Sequence, residues 1–457
     1  MYNFLYINTH DTGRMISPYG YAVPTPGLKE LAKDSVLFTN AYCCSPTCSP
    51  SRAAMLTGKY PHQNGMLGLA QRGFGLNHPE EHLAAHLAAN GFRTAISGIQ
   101  HEVGWYLDID EEALHGLGYE EVLTTPADGY QKTELCDWDR KNAQAAAAWL
   151  GKQEADRPFM LSFGLHSTHR PFPETVAEGI DERYVRIPFC VEKDAGARHD
   201  YAQYMTSARH ADDNIGIVLE ALKANGLYDN TVILFTTDHG LAMPFHKCTL
   251  SDHGIGVSLI LHHPDGRTGE VCDGLVSQID IFPTICDLLG VKKREGLEGM
   301  SFAGYMTGEE KIGRRAVFGE INFHTSYEPV RCVRTDRYKY VRFYDPKWQK
   351  WNLSNMDESV PKDIYMENGL REREKPMEAL YDCLYDPEET NNLIDHPQLA
   401  EIRRELAELL DEHLKRTKDP ILEGELPVYP NYKVNKRECI QASSKNPEDY
   451  DERGRWK

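Results

Sequence analysis

The run Cys43-Cys44-Ser45-Pro46-Thr47-Cys48-Ser49-Pro50-Ser51-Arg52-Ala53-Ala54-Met55-Leu56-Thr57-Gly58 gathers a thiol, a helix start and a cation within a few residues. Pro50 and Ser51 open a short helix whose N-terminus faces Cys48. Unpaired N–H groups there, with the charge of Arg52, make an electropositive, anion-accepting pocket around the sulfur. A thiol in such a pocket has a lowered pKa and is a nucleophile. On these residues alone the plainer alternative, a buried structural cysteine near a helix start, stays open. Two further pairs, His10-Asp11 and Asp238-His239, each follow an apolar run. By itself Asp238-His239-Gly240 reads equally as an ordinary turn.

Such residues act only where a scaffold holds them, and the apolar patterning supplies one. Phe4–Asn8 is a buried strand that ends at His10-Asp11, and Thr231–Thr237 is a β-branched strand that ends at Asp238-His239. Val36–Tyr42, Phe92–Ser97, Phe159–Leu165 and Val257–Leu261 also read as strands. Pro26–Ala32, Glu81–Asn90, Ala143–Leu150, Tyr204–Ala224 and Ile279–Leu289 carry helical spacing. The alternation predicts an α/β fold, a mostly parallel central sheet with helices on both faces. Ligands of such sheets sit beyond the carboxyl ends of the strands.

After about Val317 the rhythm changes to short strands, Val317–Asn322, Val330–Thr335 and Tyr338–Tyr344, joined by tight polar turns. An amphipathic helix, Gln398–Lys415, and an irregular Pro-rich tail after Asp419 follow. The expected division is a large α/β domain, residues 1–316, and a smaller C-terminal antiparallel sheet subdomain with a helix, residues 317–457.

The 457 residues hold 50 Lys and Arg against 69 Asp and Glu, a net charge of −19, which argues against nucleic acid or an anionic membrane as a partner. No apolar run approaches the roughly 18 residues of a membrane span. Strand-like sequence begins at Phe4 with no basic or apolar leader before it, so a cytoplasmic location is expected. The 11 cysteines, an odd number that includes Cys190 and Cys286 in apolar contexts, fit reduced thiols in that compartment.

Cys48-x-Pro50-Ser51-Arg52, followed by Ala53-x-x-Leu56-Thr57-Gly58, resembles the signature of the type I sulfatases of the alkaline phosphatase superfamily. The resemblance implies that a formylglycine-generating maturation enzyme converts Cys48 to Cα-formylglycine, whose aldehyde hydrate is the nucleophile. It implies an alkaline-phosphatase-like fold and a divalent metal site. His10-Asp11 stands where the family has Asp-Asp, so Asp11 matches and His10 departs. Asp238-His239 matches the second metal pair. The implied ligands are therefore Asp11, Asp238, His239 and residue 48, with His10 the open member. Carboxylates at the ends of two neighbouring strands need a cation between them, and oxygen-rich ligands favour Ca2+, with Mg2+ or Mn2+ as alternatives.

Gly91 to His101 resembles the second family signature: His101 is retained, while Ile99 replaces a sulfate-contacting Lys. Ser167-Thr168-His169-Arg170-Pro171-Phe172 places His169 at the sulfate-binding, proton-donating position, and Lys247 stands where the family has its second Lys. The run His62-Gln63-Asn64-Gly65-Met66-Leu67-Gly68-Leu69 is similar to the sulfamidase branch, as is the stretch from Leu380-Tyr381-Asp382 to Asn391-Asn392-Leu393. His324 and Arg331 precede or enter the family's C-terminal strand pair and are candidate saccharide contacts, with ordinary surface roles as the alternative.

The implied activity is hydrolysis of a sulfate ester or N-sulfate of a small sugar, a glycosaminoglycan fragment, since a polyanionic chain would be repelled by the acidic surface. The metal, Arg52 and Lys247 would stabilise charge on the sulfuryl oxygens. His169 would protonate the leaving group, and His101 would take the proton of the second hydroxyl. The absent Lys at Ile99 leaves a phosphonate or phosphate ester hydrolase of the same superfamily as one alternative. A catalytically dead sugar-binding homologue is the alternative of another class.

Overall fold

A computed structural model describes residues 1–153, 157–188, 191, 193–309 and 311–454. In chain order its strands are β1 (Asn3–Thr9), β2 (Val36–Phe38), β3 (Ala41–Tyr42), β4 (Arg93–Gly98), β5 (Glu121–Val122), β6 (Phe159–Gly164), β7 (Thr231–Thr237), β8 (Leu259–His262), β9 (Glu270–Cys272), β10 (Val276–Ser277), β11 (Val317–Phe323), β12 (Tyr327–Arg334), β13 (Tyr338–Phe343) and β14 (Glu378–Asp382). Eight form one sheet in the order β5-β4-β6-β1-β7-β8-β2-β9. Its pairs are parallel except at β8, which runs against both neighbours.

β1 reads NFLYINT, and all of it is buried, as a strand covered on both faces must be. Its side chains divide by parity. Phe4 and Tyr6 join Met160, Val232 and Leu234 in a core closed by the helices Cys48–Thr57, Leu83–Ala89 and Ile281–Leu289. Leu5 and Ile7 join Leu161, Phe163, Ile233 and Phe235 in a second core under the helices Leu135–Leu150 and Ala195–Ala224. Each such fully buried side chain contributes about 1.5–3 kcal/mol, so the layers on either side of the central strands hold the sheet rigid.

The register aligns the ends of the central strands. Thr9 lies beside Thr237, Asn8 beside Gly164, and Gly164 beside Gly98. β4, β6, β1 and β7 therefore run out at one edge, just before His101, His169, His10-Asp11 and Asp238-His239. Gly98, at φ +84°, shows how close that edge is: a Cβ there would stand 2.0 Å from the Gly164 carbonyl oxygen.

Several elements differ from the sequence-based boundaries. Val36–Tyr42 is two strands, because the chain turns at Thr39-Asn40, where Asn40 donates to the Asp273 carbonyl and β3 pairs with β10 in a separate sheet. The helix expected at Ala143–Leu150 starts at Leu135, and the one expected from Tyr204 starts at Ala195 with Asp194 accepting from the Ala197 amide. Both early turns mix polar and apolar residues and dilute the apolar signal.

β11 to β14 form an antiparallel sheet in sequence order, with the helix Ala400–Thr417 setting Leu406, Leu410 and Leu414 against it. That core also takes Ala53, Met66 and Phe74, so the C-terminal sheet packs directly on the segment carrying Cys48. Asp252 joins the two parts through Lys339 at 2.5 Å and Arg334 at 3.1 Å. The ten described cysteines are free and buried, and Cys190 lies outside the described residues. Among the described residues no helix is long and apolar enough to cross a membrane.

Candidate active site

Thr47, in extended conformation, caps the helix Cys48–Thr57, so Cys48 is its first residue and the helix opens earlier than Pro50. Cys48 Sγ lies 3.3 Å from His239 Nε2 and 4.0 Å from Asp11 Oδ1. The expected low thiol pKa is not found. Burial pushes it well above its usual value; Lys247 works against that, and Asp11 and Asp238 add to it. The helix start and the cations are present, but burial disfavours the charged sulfur more than they favour it. Cys48 is therefore not held as a thiolate.

Those carboxylates form the centre of the site. Asp238 Oδ1 accepts from the amides of Asp11 and His239, each at 2.9 Å, and its Oδ2 lies 3.2 Å from both Arg52 Nε and His10 Nδ1. Asp11 Oδ1 lies 3.0 Å from His10 Nδ1 and 3.3 Å from His239 Nε2, while Asp11 Oδ2 accepts from Lys247 Nζ at 2.8 Å. Burial pulls His10 down to about 4, so its ring is neutral at pH 7. Burial would raise both acids, but neighbouring cations and imidazoles hold Asp11 well below its usual value and Asp238 at about 2. Burial would likewise lower Lys247, but Asp11 and Asp357 hold it well above its usual value.

The donor set fits a divalent cation. Asp11, Cys48, Asp238 and His239 offer ligand atoms all within 4.8 Å of one another, as do His10, Asp11, Cys48 and His169. His10 Nδ1 is engaged by Asp11 and Asp238, and its buried Nε2, which has no hydrogen-bond partner, is the nitrogen left for a ligand.

The remaining histidines ring Tyr106, with His101 at 4.9 Å and His169 at 5.9 Å between ring centroids. His101 Nε2 pairs with Gln71 Oε1 at 2.8 Å, and its Nδ1 is unpartnered. His169 Nε2 lies 3.9 Å from Asp11 Oδ2. Ile99 packs with Leu135 and Trp138 in an apolar cluster, which accounts for the absence of a cation there. The loop carrying His169 hangs on Asp139, which accepts from the His166 amide at 2.8 Å, the Ser167 amide at 2.9 Å and Ser167 Oγ at 2.7 Å. Asp139→Ala should strand these donors, cost about 3 kcal/mol in denaturant unfolding and lower kcat about tenfold, because His169 loses its support.

A sulfatase family model matches residues 2–291, which hold the whole eight-stranded sheet and every site group described so far except Asp357. The chain belongs to the sulfatase family. It is a sulfuric ester hydrolase. A second model, the C-terminal region of N-sulphoglucosamine sulphohydrolase, matches residues 238–379 of this sulfatase. An ulvan-active sulfatase of Formosa agariphila is 28% identical over 463 residues, covering 88% of this chain and 74% of the relative. The N-sulphoglucosamine sulphohydrolase of Homo sapiens is 28% identical over 454 residues, covering 87% of each. A solved 2-O glycosaminoglycan sulfatase superposes with a TM-score of 0.72 at 22% identity, over 95% of this chain and 96% of that one, and establishes the shared fold.

The two saccharide candidates of this sulfatase separate. His324 is buried near Lys247 and Asp357, with its Nδ1 unpartnered, so it lies beside the site. Arg331 does not. Its guanidinium is bound to Asp419 at 2.6 and 3.0 Å, to Asn322 Oδ1 and to the carbonyls of Ile321 and Val330. Position just before a strand turn suggested exposure, but the side chain turns inward to neutralise Asp419 beside the His62–Glu320 pair. Reading the motifs alone missed Asp357, Gln71 and Asp139, none of which belongs to a recurring motif.

Proposed function

We propose that this sulfatase removes sulfate from a small sulfated amino sugar, N-sulfated glucosamine before O-sulfated, using formylglycine made from Cys48 by a formylglycine-generating enzyme. The observation that carries it is Cys48 at the head of a buried helix, 3.3 Å from His239 and 4.0 Å from Asp11, the two residues best placed to share a metal with it. The similarity to N-sulphoglucosamine sulphohydrolase, over 87% of the chain and again over residues 238–379, supports the sugar. Match to a sulfatase model over the catalytic residues favours sulfate over phosphonate.

A divalent cation held by Asp11, Asp238, His239 and residue 48, with His10 at its edge, would polarise the sulfuryl group, and formylglycine would supply a hydrated aldehyde as nucleophile. The chain's own residues do the rest. Arg52 fixes Asp238 and offsets its charge. Lys247, kept protonated, presents a cation to the sulfuryl oxygens from beside Asp11. Burial lowers His169, so it is neutral at rest and gains proton affinity as the anionic substrate enters, which suits a donor to the leaving amine or alcohol. Gln71 holds one nitrogen of His101 and leaves the other as a base for the second hydroxyl.

Sulfate release should be fastest from N-sulfoglucosamine in a panel that also holds glucosamine 6-O-sulfate, an aryl sulfate and an aryl phosphonate. Release from the 6-O-sulfate but not the N-sulfate would overturn the first choice of sugar. Faster turnover of the phosphonate than of any sulfate would overturn the reaction class.

A further inference from the structure

Asp357 comes from the long connection between β13 and β14, yet it stands in the catalytic pocket, its Oδ2 3.2 Å from Lys247 Nζ. Lys247 thus lies between two carboxylates, Asp11 and Asp357. The two residues just before Asp357 are pinned. Asn355 Oδ1 accepts from the amides of Thr325 at 3.1 Å and Ser326 at 2.9 Å, and Lys362 Nζ donates to the Met356 carbonyl at 3.0 Å. Held this way, Asp357 keeps its place with or without a ligand. Its Oδ2 is buried and accepts no hydrogen bond, although the side chain as a whole is 19% exposed.

Those exposures say where a substrate must extend. Cys48, Asp11, Asp238 and Lys247 are closed off, whereas Asp357 at 19% and His169 at 16% reach solvent. With its sulfate against Lys247, a sugar can reach solvent past these two. A sulfuryl oxygen that engages Lys247 also draws the cation away from Asp357, freeing an acceptor beside the ring.

We propose that Asp357 is a specificity-determining residue: its carboxylate takes a hydrogen bond from an amine or hydroxyl next to the scissile sulfate and repels a second anionic group at that position. The proposal rests on the reading of a sulfated amino sugar as substrate and narrows it to sugars carrying one sulfate near the reacting centre. Discrimination of this kind comes from the repulsive element as much as from the attractive one. A like charge within a few ångströms in a poorly hydrated pocket is worth about tenfold or more in kcat/KM.

The test compares wild type with Asp357→Asn and Asp357→Ala on N-sulfoglucosamine, its 3-O-sulfated form, whose second sulfate is on the carbon next to the scissile one, and a small aryl sulfate. In Asp357→Asn the preference for the monosulfated over the disulfated sugar should fall about tenfold or more, through a gain on the disulfated one. In Asp357→Ala, KM for the monosulfated sugar should rise about tenfold relative to KM for the aryl sulfate, which lacks the donor groups, whatever change in kcat the two substrates share through Lys247. An equal fall in kcat on all three substrates would overturn the proposal, because Asp357 would then act only by positioning Lys247. An unchanged preference would overturn it too. If wild type cleaves the aryl sulfate and O-sulfated but not N-sulfated glucosamine, the choice of sugar fails. The same preference is then measured between mono- and di-O-sulfated glucosamine, where Asp357 makes the same prediction.

Discussion

Cys48→Ala should leave less than about a thousandth of the wild-type kcat on any sulfate ester, since loss of a covalent nucleophile costs at least that much. The change removes one sulfur atom in contact with His239 and Asp11 and leaves the Thr47 cap and the helix intact. The melting temperature should therefore stay close to that of wild type. Cys43→Ala and Cys44→Ala provide the contrast. Cys43 packs in the main core, and Cys44 lies 3.5 Å from Ser277 Oγ, so each should cost about 1 kcal/mol of stability and leave turnover largely intact. Retention of more than about a hundredth of the activity in Cys48→Ala would contradict the assignment.

Asp238→Asn should be nearly as damaging. Its Oδ1 serves two backbone amides, which an amide oxygen can still satisfy, but its charge is what answers Arg52 and draws a cation. The neutral variant should lose bound divalent metal in elemental analysis and about a thousandfold in kcat together. Asp11→Asn should behave alike, because it leaves Lys247 without its nearest carboxylate. His10→Ala separates ligand from neighbour. Full metal content would show that His10 only borders the site, whereas a parallel loss of metal and activity would make it a ligand. Full metal and full activity in Asp238→Asn would contradict the site as drawn.

The fold was legible where burial is complete on both faces. β1, β6 and β7 are short, mostly apolar and buried throughout, so their positions followed from side-chain pattern, β1 and β7 ending at the functional pairs. The resemblance to the sulfatase motifs then pointed to Cys48, Asp11, Asp238, His101, His169 and Lys247, and the fold gathers them beyond one edge of the sheet. Position in a motif did not fix what each side chain faces. Arg331 lies in a matching strand yet spends its guanidinium on Asp419, and the Cys48 thiol is raised by its burial, with the acids that follow β1 and β7 adding to it. Asp357 was illegible for a different reason. It sits in a polar connection without periodicity, and only the packing of the C-terminal sheet against the Cys48 segment carries it to Lys247.

Mass spectrometry of the peptide bearing residue 48, taken from active enzyme made alongside a formylglycine-generating enzyme, tests the central claim most directly. The mechanism requires an aldehyde at that position. The peptide should carry the mass of formylglycine in place of cysteine and gain one hydrazone on treatment with a hydrazine, in proportion to specific activity across preparations. An intact thiol at Cys48 in fully active enzyme would contradict the account.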